Sequence, residues 1–470
     1  MTGDELCFAG LAELQALLRR HALSPVDLMQ AVLSRIERLE PQLNAFATLV
    51  AGPALAAART AEAAFRGGDP PPPLAGIPVT IKDLAITKGI RTERGSFTQQ
   101  GTVPTEDTPF VERLRAAGAI VLGKTTTSEF GWKGVSQSPL TGITHNPWRH
   151  GCNAGASSAG AAVAAAAGYG PLHQGSDGAG SIRMPAHFCG VFGLKPSYGR
   201  VPNYPLSTGD NTAHIGPITR RVADAAVMLE AMAGPHPLDH SSAEAWPEPY
   251  AARLGEGIRG ARIAFSPNLG HARVVPEVAA RVAEAALVFA QSLGANLEEV
   301  TPAWGPQGPE LIRLFWPAHM QNYARYLPEW EAKMDPGLVA CIRAGERLSM
   351  EDYQKARERK HTYCAAIGRF FETWDFLITP AVSVATFPAE RLAPADWPEH
   401  PWDWVGWAEF SYPFNFTGNP AASIPCGFTA DGRPVGVQVV GRRFDDLGVL
   451  KASAAFEAER PWAEQRPPLA

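Results

Sequence analysis

Three hydroxyls and one amine in this chain of 470 residues could do chemistry together: Ser157, Ser158, Ser181 and Lys82. Ser157 and Ser158 lie in a run of small residues, GASSAGA from Gly155, and Ser181 follows Asp177-Gly178-Ala179-Gly180. Glycine and alanine let the backbone come close to a bound group. Successive N–H groups on such a turn can point at one anion. A hydroxyl at the end of the turn therefore has an oxyanion hole available from its own backbone, as acyl transfer requires. Each residue also has a plainer use. Lys82, after the apolar run Ile77–Ile81, reads on its own as a strand-end surface charge. The serine pair can cap a helix that begins at Ala159, and Ser181 alone is a turn serine.

Three longer pieces decide between these uses: GIPVTIKD from Gly76, GASSAGA from Gly155 and GSDGAGSIRMPAHFCGVFGLKP from Gly175. Together they resemble the amidase signature family, whose pattern runs GIPVxIKD, GGSSGGS and GSDxGGSIRxPAxFCGxxGLKP. The intervals between Lys82, Ser157 and Ser181 are those the family keeps. Likeness is densest from about Leu74 to Val222 and thins toward both ends.

The resemblance implies a serine hydrolase that cuts a C–N bond of a small amide or carbamate through an acyl- or carbamoyl-enzyme. In that mechanism a buried, neutral Lys82 takes a proton from Ser157, which follows a cis peptide, and Ser157 takes one from the nucleophile Ser181. Gly178, Ala179 and Gly180, with Ser181, supply the oxyanion N–H groups. Asp177 and Arg183 brace the turn. Trp132 falls where many relatives carry a methionine lining the acyl site, and it is placed with Ser158 at the substrate pocket. No metal and no cofactor is implied. The chain departs from the pattern at Ala156, Ala159 and Ala179, where the family usually has glycine. Backbone donors survive an alanine, so the departures bear on loop shape rather than on chemistry.

The elements that must position these residues read as an α/β protein. Helical spacing covers Gly10–Arg20, Ser24–Glu40, Pro53–Arg66, Pro109–Ala117, Ala159–Ala167, Val222–Ala233, Pro276–Leu293 and Leu447–Ala458. Strands are expected at Ala45–Val50, Ile77–Ile81, Ala119–Leu122, Arg262–Phe265, Phe376–Thr379, Ala421–Pro425 and Val435–Val440. The expectation is one large α/β/α domain over 1–470, a mixed many-stranded sheet with helices on both faces. Gly67–Pro73 is read as a loop inside it, and Gly216-Pro217 as the turn before Val222. The stretch from about 300 to 410, with its tryptophans and prolines, is expected to be irregular and to cover the substrate side. Trp397, Trp402, Trp404 and Trp407 can serve there as packing or as a binding wall for an apolar or aromatic substrate.

Bulk composition excludes several classes. A net charge of −5 gives no basic footprint for nucleic acid. Six cysteines without a CxxC pair argue against zinc and disulfides and for a reducing, cytoplasmic setting. The longest apolar stretch, Ala159–Gly170, is too short to cross a bilayer. Monomer and homodimer both stay open. Two motifs are decoys. Gly118–Thr125, GAIVLGKT, matches the phosphate-loop pattern, but its centre looks like a buried strand. A Ser-His-Asp triad would need GxSxG, which is absent, so His173 and His187 read as turn and packing residues. The alternative activity is that of the glutamine-hydrolysing subunit of a tRNA-dependent amidotransferase. Such subunits carry an acidic residue and an arginine to grip the free amino acid, plus a DGxRYG stretch; around Trp407–Phe416 no such stretch occurs, and Glu409 is the only acid there. A non-catalytic binding protein on the same fold is the remaining alternative.

Overall fold

The computed structural model describes residues 1–67, 71–207 and 209–469. Thirteen strands form: β1 Phe46–Leu49, β2 Pro78–Lys82, β3 Ile120–Thr125, β4 Gln137–Ser138 and β5 Gly142–Ile143 come first. Then follow β6 Leu172–Asp177, β7 Phe192–Lys195, β8 His214–Thr219 and β9 Arg262–Phe265. Last come β10 Asn296–Glu299, β11 Phe376–Pro380, β12 Ala421–Phe428 and β13 Pro434–Gly441. Eleven of them make one sheet in the order β1-β3-β2-β6-β8-β7-β12-β13-β11-β9-β10, and β4 pairs with β5. The sheet is mixed: β3-β2-β6 and β11-β9-β10 run parallel, and the strands between are joined antiparallel. Helices cover it, as the expected α/β class requires.

Local chemistry explains where helices begin. Proline sits at the first turn of Pro25–Leu43, Pro109–Ala116, Pro276–Gln291 and Pro336–Gly345, where its missing N–H costs nothing. Ser24 caps the first of these by accepting the Val26 N–H at 3.0 Å. The helix Ala159–Ala167 is wholly buried and carries no side chain larger than valine. A Cβ at Gly160 would run into the Ala45 carbonyl and would lie 2.5 Å from the Thr126 nitrogen. Small residues thus let this helix lie almost on the backbone of its neighbours, with the serine pair at its start.

Two expectations change. Gly216 and Pro217 are not a turn but lie inside β8, where Pro217 stands opposite Gln174 of β6. The ladder to β7 stops at Ile218, so Pro217, which has no N–H to give, lies just past it. The stretch read as irregular is largely helical: Gly308–Met320, Pro336–Gly345 and Met350–Thr373. In the last, Ala356, Lys360, Tyr363, Ile367 and Phe371 face inward at helical spacing, a pattern hidden by the charged residues between them. Only the part after β11, up to the short helix Pro413–Phe416, is mostly without regular structure. Finally, the loop Gly67–Pro73 lies partly outside the described residues.

The parallel strands aim their C-terminal ends at one place. Lys82 closes β2 and Asp177 closes β6, and the turn 178–182 then leads into the helix Arg183–Cys189. Strand ends of this kind are where open α/β sheets place their ligands. A second apolar cluster, rich in tryptophan and phenylalanine, packs the 304–416 segment over that edge.

Candidate active site

Lys82 is fully buried, and its ammonium nitrogen is enclosed by oxygen. Nζ lies 2.7 Å from Ser157 Oγ, 2.9 Å from Ser158 Oγ, 2.9 Å from Ser176 Oγ and 3.3 Å from the Ser176 carbonyl. Its main-chain N–H donates to Gln174 Oε1 at 3.0 Å, which ties the strand end to β6. Burial drives the lysine's proton affinity well below its ordinary value, and the Asp177 carboxylate acts in the opposite sense. The surface-charge use is therefore excluded by position. A neutral Lys82 has two N–H groups and one lone pair. Ser158 Oγ donates to the Ser176 carbonyl at 3.0 Å and accepts from Lys82. With the N–H groups directed to Ser158 and Ser176, the lone pair is left for the proton of Ser157.

Ser181 Oγ accepts the main-chain N–H of Ser157 at 3.4 Å. The structure thus brings Lys82, Ser157 and Ser181 together. The peptide bond before Ser157 is trans, not cis; the cis bonds among the described residues are Tyr204–Pro205 and Leu327–Pro328. In this trans form Ser157 Oγ already reaches Lys82 while its N–H faces Ser181. Ser158, expected at the substrate pocket, is instead fully buried and part of the lysine's oxygen cage. It occupies the N-cap position of the helix Ala159–Ala167 without capping it through its hydroxyl.

The oxyanion turn also needs one correction. The Gly180 N–H is given to Asp177 Oδ1 at 2.6 Å, so it is not free for a substrate oxygen. The N–H groups of Gly178, Ala179 and Ser181 have no acceptor among the described residues. Gly180 has φ of +111°, and a Cβ there would run into Ser411 at 2.7 Å, so the turn can be this tight only with glycine. A Cβ at Gly178 would meet nothing nearer than Trp316 Cζ3 at 4.0 Å. The space above the turn is open and faces an indole.

Asp177 and Arg183 brace the turn from beneath, both wholly buried. Arg183 Nε donates to Asp177 Oδ2 at 3.0 Å and Nη2 to Oδ1 at 2.9 Å, a bidentate pair. The remaining guanidinium bonds go to the Ser411 carbonyl, Gln438 Oε1 and Asn415 Oδ1. Asp177 in turn accepts from Ile182 N–H and Asn415 Nδ2. Although burial opposes it, the adjacent guanidinium holds the Asp177 carboxyl far below the usual carboxylate range. Sequence reasoning missed Ser176, Gln174, Ser411 and Asn415. Ser176 was the legible one, since it lies inside the quoted GSD motif. Gln174 lies just before that motif, whereas Ser411 and Asn415 belong to a distant stretch that meets the site only in the fold.

Trp132 is fully buried in the tryptophan cluster, and it also borders a cavity shared with Lys133, Met334 and Asp335. Its carbonyl accepts the indole N–H of Trp316 and of Trp404, both at 2.9 Å. A Cβ at Gly337 would collide with its ring, so the ring packs directly against that glycine. Trp404 and Trp407 are buried, and the indoles of Trp397 and Trp407 donate to the carbonyls of Gly406 and Leu392. The tryptophan cluster is packing; the indole that reaches the site is Trp316. The phosphate-loop match is a strand, and of the two histidines His187 is the packing residue expected. Gly123-Lys124-Thr125 belongs to β3, and Lys124 Nζ is taken up by the Ala85 carbonyl, Thr87 and Thr92 inside the protein. His187 packs between Val384 and Gly436. His173 lies in β6, not in a turn, beside Thr80.

A buried lysine, two serines and free N–H groups on a braced turn are the parts of an acyl-transfer site. The Amidase family model matches residues 27–450. An acylamidase from Rhodococcus erythropolis is 39% identical, over 99% of this chain and 98% of its own length. A glutamyl-tRNA(Gln) amidotransferase subunit from Moorella thermoacetica is 34% identical, over 99% of both chains. Among solved structures, a bacterial aryl acylamidase superposes with a TM-score of 0.90 at 28% identity, covering 97% of each chain. A 6-aminohexanoate cyclic dimer hydrolase gives the same score and identity over 98% and 99%. By sequence over nearly its whole length and by its fold, the chain belongs to the amidase family, the amidase signature enzymes.

Proposed function

We propose that the chain hydrolyses the C–N bond of small amides through an acyl-enzyme on Ser181, with an aromatic or apolar group on the substrate. The Lys82–Ser157 contact of 2.7 Å, deep in a site that depresses the lysine's proton affinity, carries this reading. Neutral Lys82 takes the Ser157 proton as Ser157 takes that of Ser181, and Ser181 Oγ attacks the carbonyl carbon. The N–H groups of Gly178, Ala179 and Ser181 receive the oxyanion. The proton returns along the same path to the departing amine, and water then releases the acid. The indole of Trp316 across from Gly178 supports an aromatic group in that space. Acylamidase and aryl acylamidase relatives support the amide in preference to the carbamate.

The amidotransferase relatives favour a second reading, hydrolysis of glutamine for a partner. Against it stands the one acid near the expected place. Glu409 is buried 3.7 Å from His271 and is pushed up to about 7 by burial, so it is poorly placed to hold an ammonium group. A panel of aryl amides, aliphatic amides, aryl carbamates and glutamine, scored by amine or ammonia release, separates these readings. Aryl amide turnover well above the others is expected. Glutamine as the preferred substrate would overturn the first reading, and carbamates as the best substrates would overturn the amide preference.

A further inference from the structure

The turn that touches the catalytic serine is tied to the far segment over the site by a buried carboxyl and an ion pair. A Cβ at Gly131 would lie 3.3 Å from Ser157 Oγ, so this turn is the floor beside the relay serine. Phe130, just before it, is held at φ of +51°, a conformation costly for a bulky residue. Its ring stacks on Tyr323 at 4.2 Å and on Tyr326 at 5.6 Å, both from the 321–326 segment. Glu129, one residue earlier, is fully buried and accepts two bonds: Ser96 Oγ–H at 2.7 Å and the Asp335 N–H at 2.6 Å. On the other side of the turn, Lys133 Nζ donates to Asp335 Oδ2 at 2.5 Å and also reaches Gln137. Both groups of the ion pair are buried. Asp335 Oδ1 accepts the Gly337 N–H at 2.9 Å and so caps the helix Pro336–Gly345.

We propose that Glu129, Lys133 and Asp335 are positioning residues that clamp the segment carrying Tyr323 and Tyr326 onto the Phe130–Gly131 turn, fixing the substrate-side wall next to Ser157. In assigning that wall to a substrate the proposal rests on the amide-hydrolase reading given above. Glu129 and Lys133 flank the turn and converge on one residue of the opposite segment, so a shift of 335 cannot occur without moving the turn. The charged groups that face Glu129 are Asp335 and Lys133. Burial pushes Glu129 up to about 7, and the Lys133 ammonium works against that rise.

Two substitutions test the clamp. Glu129→Gln keeps the shape but replaces one acceptor oxygen with a donor facing either Ser96 or the Asp335 N–H. Asp335→Asn keeps a good helix cap, since Asn caps as well as Asp, while removing the charge opposite Lys133. Hydrogen exchange of residues 321–337 is followed by mass spectrometry in both variants, with KM and kcat for a bulky anilide and for a small aliphatic amide. Exchange in that segment should rise about tenfold, the change expected for roughly 1.4 kcal/mol of lost tethering. KM for the anilide should rise severalfold while kcat and the small-amide KM stay near wild type. Wild-type exchange in Asp335→Asn would overturn the clamp even if Glu129→Gln fails to fold. A fall in kcat for both substrates without a change in KM would overturn the substrate-wall role. If the wild type cleaves no amide, the reading of function fails and the exchange measurement still decides the clamp.

Discussion

The main-chain N–H of Ser157 reaches the hydroxyl oxygen of Ser181 at 3.4 Å, while the side chain of the same serine meets Lys82 at 2.7 Å. One residue thus meets Ser181 with its backbone and Lys82 with its side chain. Ser157→Ala keeps the first contact and loses the second. It should leave Ser181 in place but slow acylation by about 10²–10⁴-fold, the usual worth of general acid–base help. Ser181→Ala should abolish turnover. A fluorophosphonate should mark Ser181 in wild type, as read by peptide mapping, and label on another serine would sink this assignment.

Lys82 sets a pH signature. Burial lowers its proton affinity, so the neutral base forms well below the ordinary lysine range. Activity should rise with pH through that lowered value and stay high above it. Lys82→Arg cannot give up its proton and should lose most activity at every pH. Stability has a definite sign too. The unfolded lysine binds a proton up to about pH 10.4, the folded one does not, so stability rises with pH between the lowered value and about 10.4. Lys82→Met removes this dependence. Urea titrations of both proteins at pH 6 and pH 9 read the difference, and equal slopes against pH would contradict a depressed lysine.

Ser176 separates the lysine's cage from the relay. Its hydroxyl bonds to Lys82 at 2.9 Å. Oxygens that accept N–H bonds favour the charged amine, so removing one lowers the lysine's affinity for a proton further. Ser176→Ala should therefore move the acid limb of the rate profile to lower pH, with maximal turnover reduced by about tenfold or less for one lost hydrogen bond of roughly 1 kcal/mol. An acid limb that moves upward would show that this hydroxyl does not stabilise the ammonium form.

Much of this was legible in the chain, for particular reasons. Ser24 before Pro25, and the wholly small run Ala159–Ala167, fix their helices locally, and both appear within a few residues of the expected bounds. The meeting of Lys82, Ser157 and Ser181 was legible because the three lie in three dense motifs. The strands β6, β7 and β8 were not foreseen, because Leu172–Asp177 and His214–Thr219 carry His, Gln, Ser, Gly and Pro on faces that burial satisfies by hydrogen bonds rather than by apolar packing. The same limit applied to Gly180 and Ser158. The donors and hydroxyls can be read in the chain, but which partner claims each depends on Asp177, which lies close to Gly180 across a tight turn, and on Ser176, 18 residues from Ser158 in the neighbouring strand. Tryptophans misled in a different way. Trp404 gives its indole N–H to the Trp132 carbonyl through the fold, a meeting that no spacing of 272 residues reveals.

The brace under the oxyanion turn is testable through its charge. Asp177 and Arg183 are both without solvent contact. Breaking a buried pair by removing one partner leaves an uncompensated charge and costs about 3–5 kcal/mol, so Arg183→Met should destabilise by that order in urea unfolding. The pH dependence tells a lost charge from lost packing. In wild type the Asp177 carboxyl is held far below the unfolded value of about 3.9. Its contribution is complete above pH 4 and is lost only as the pH falls further, so this pair adds no slope between pH 5 and pH 8. Without Arg183, burial dominates and raises the carboxyl above its unfolded value. The folded variant then binds more protons than the unfolded chain, and its stability falls as the pH rises through the raised value. The gap between wild type and Arg183→Met should therefore widen from pH 5 to pH 8. A gap of the same size at both would mean that the arginine's packing and neutral hydrogen bonds hold the turn, and that its charge on Asp177 does not.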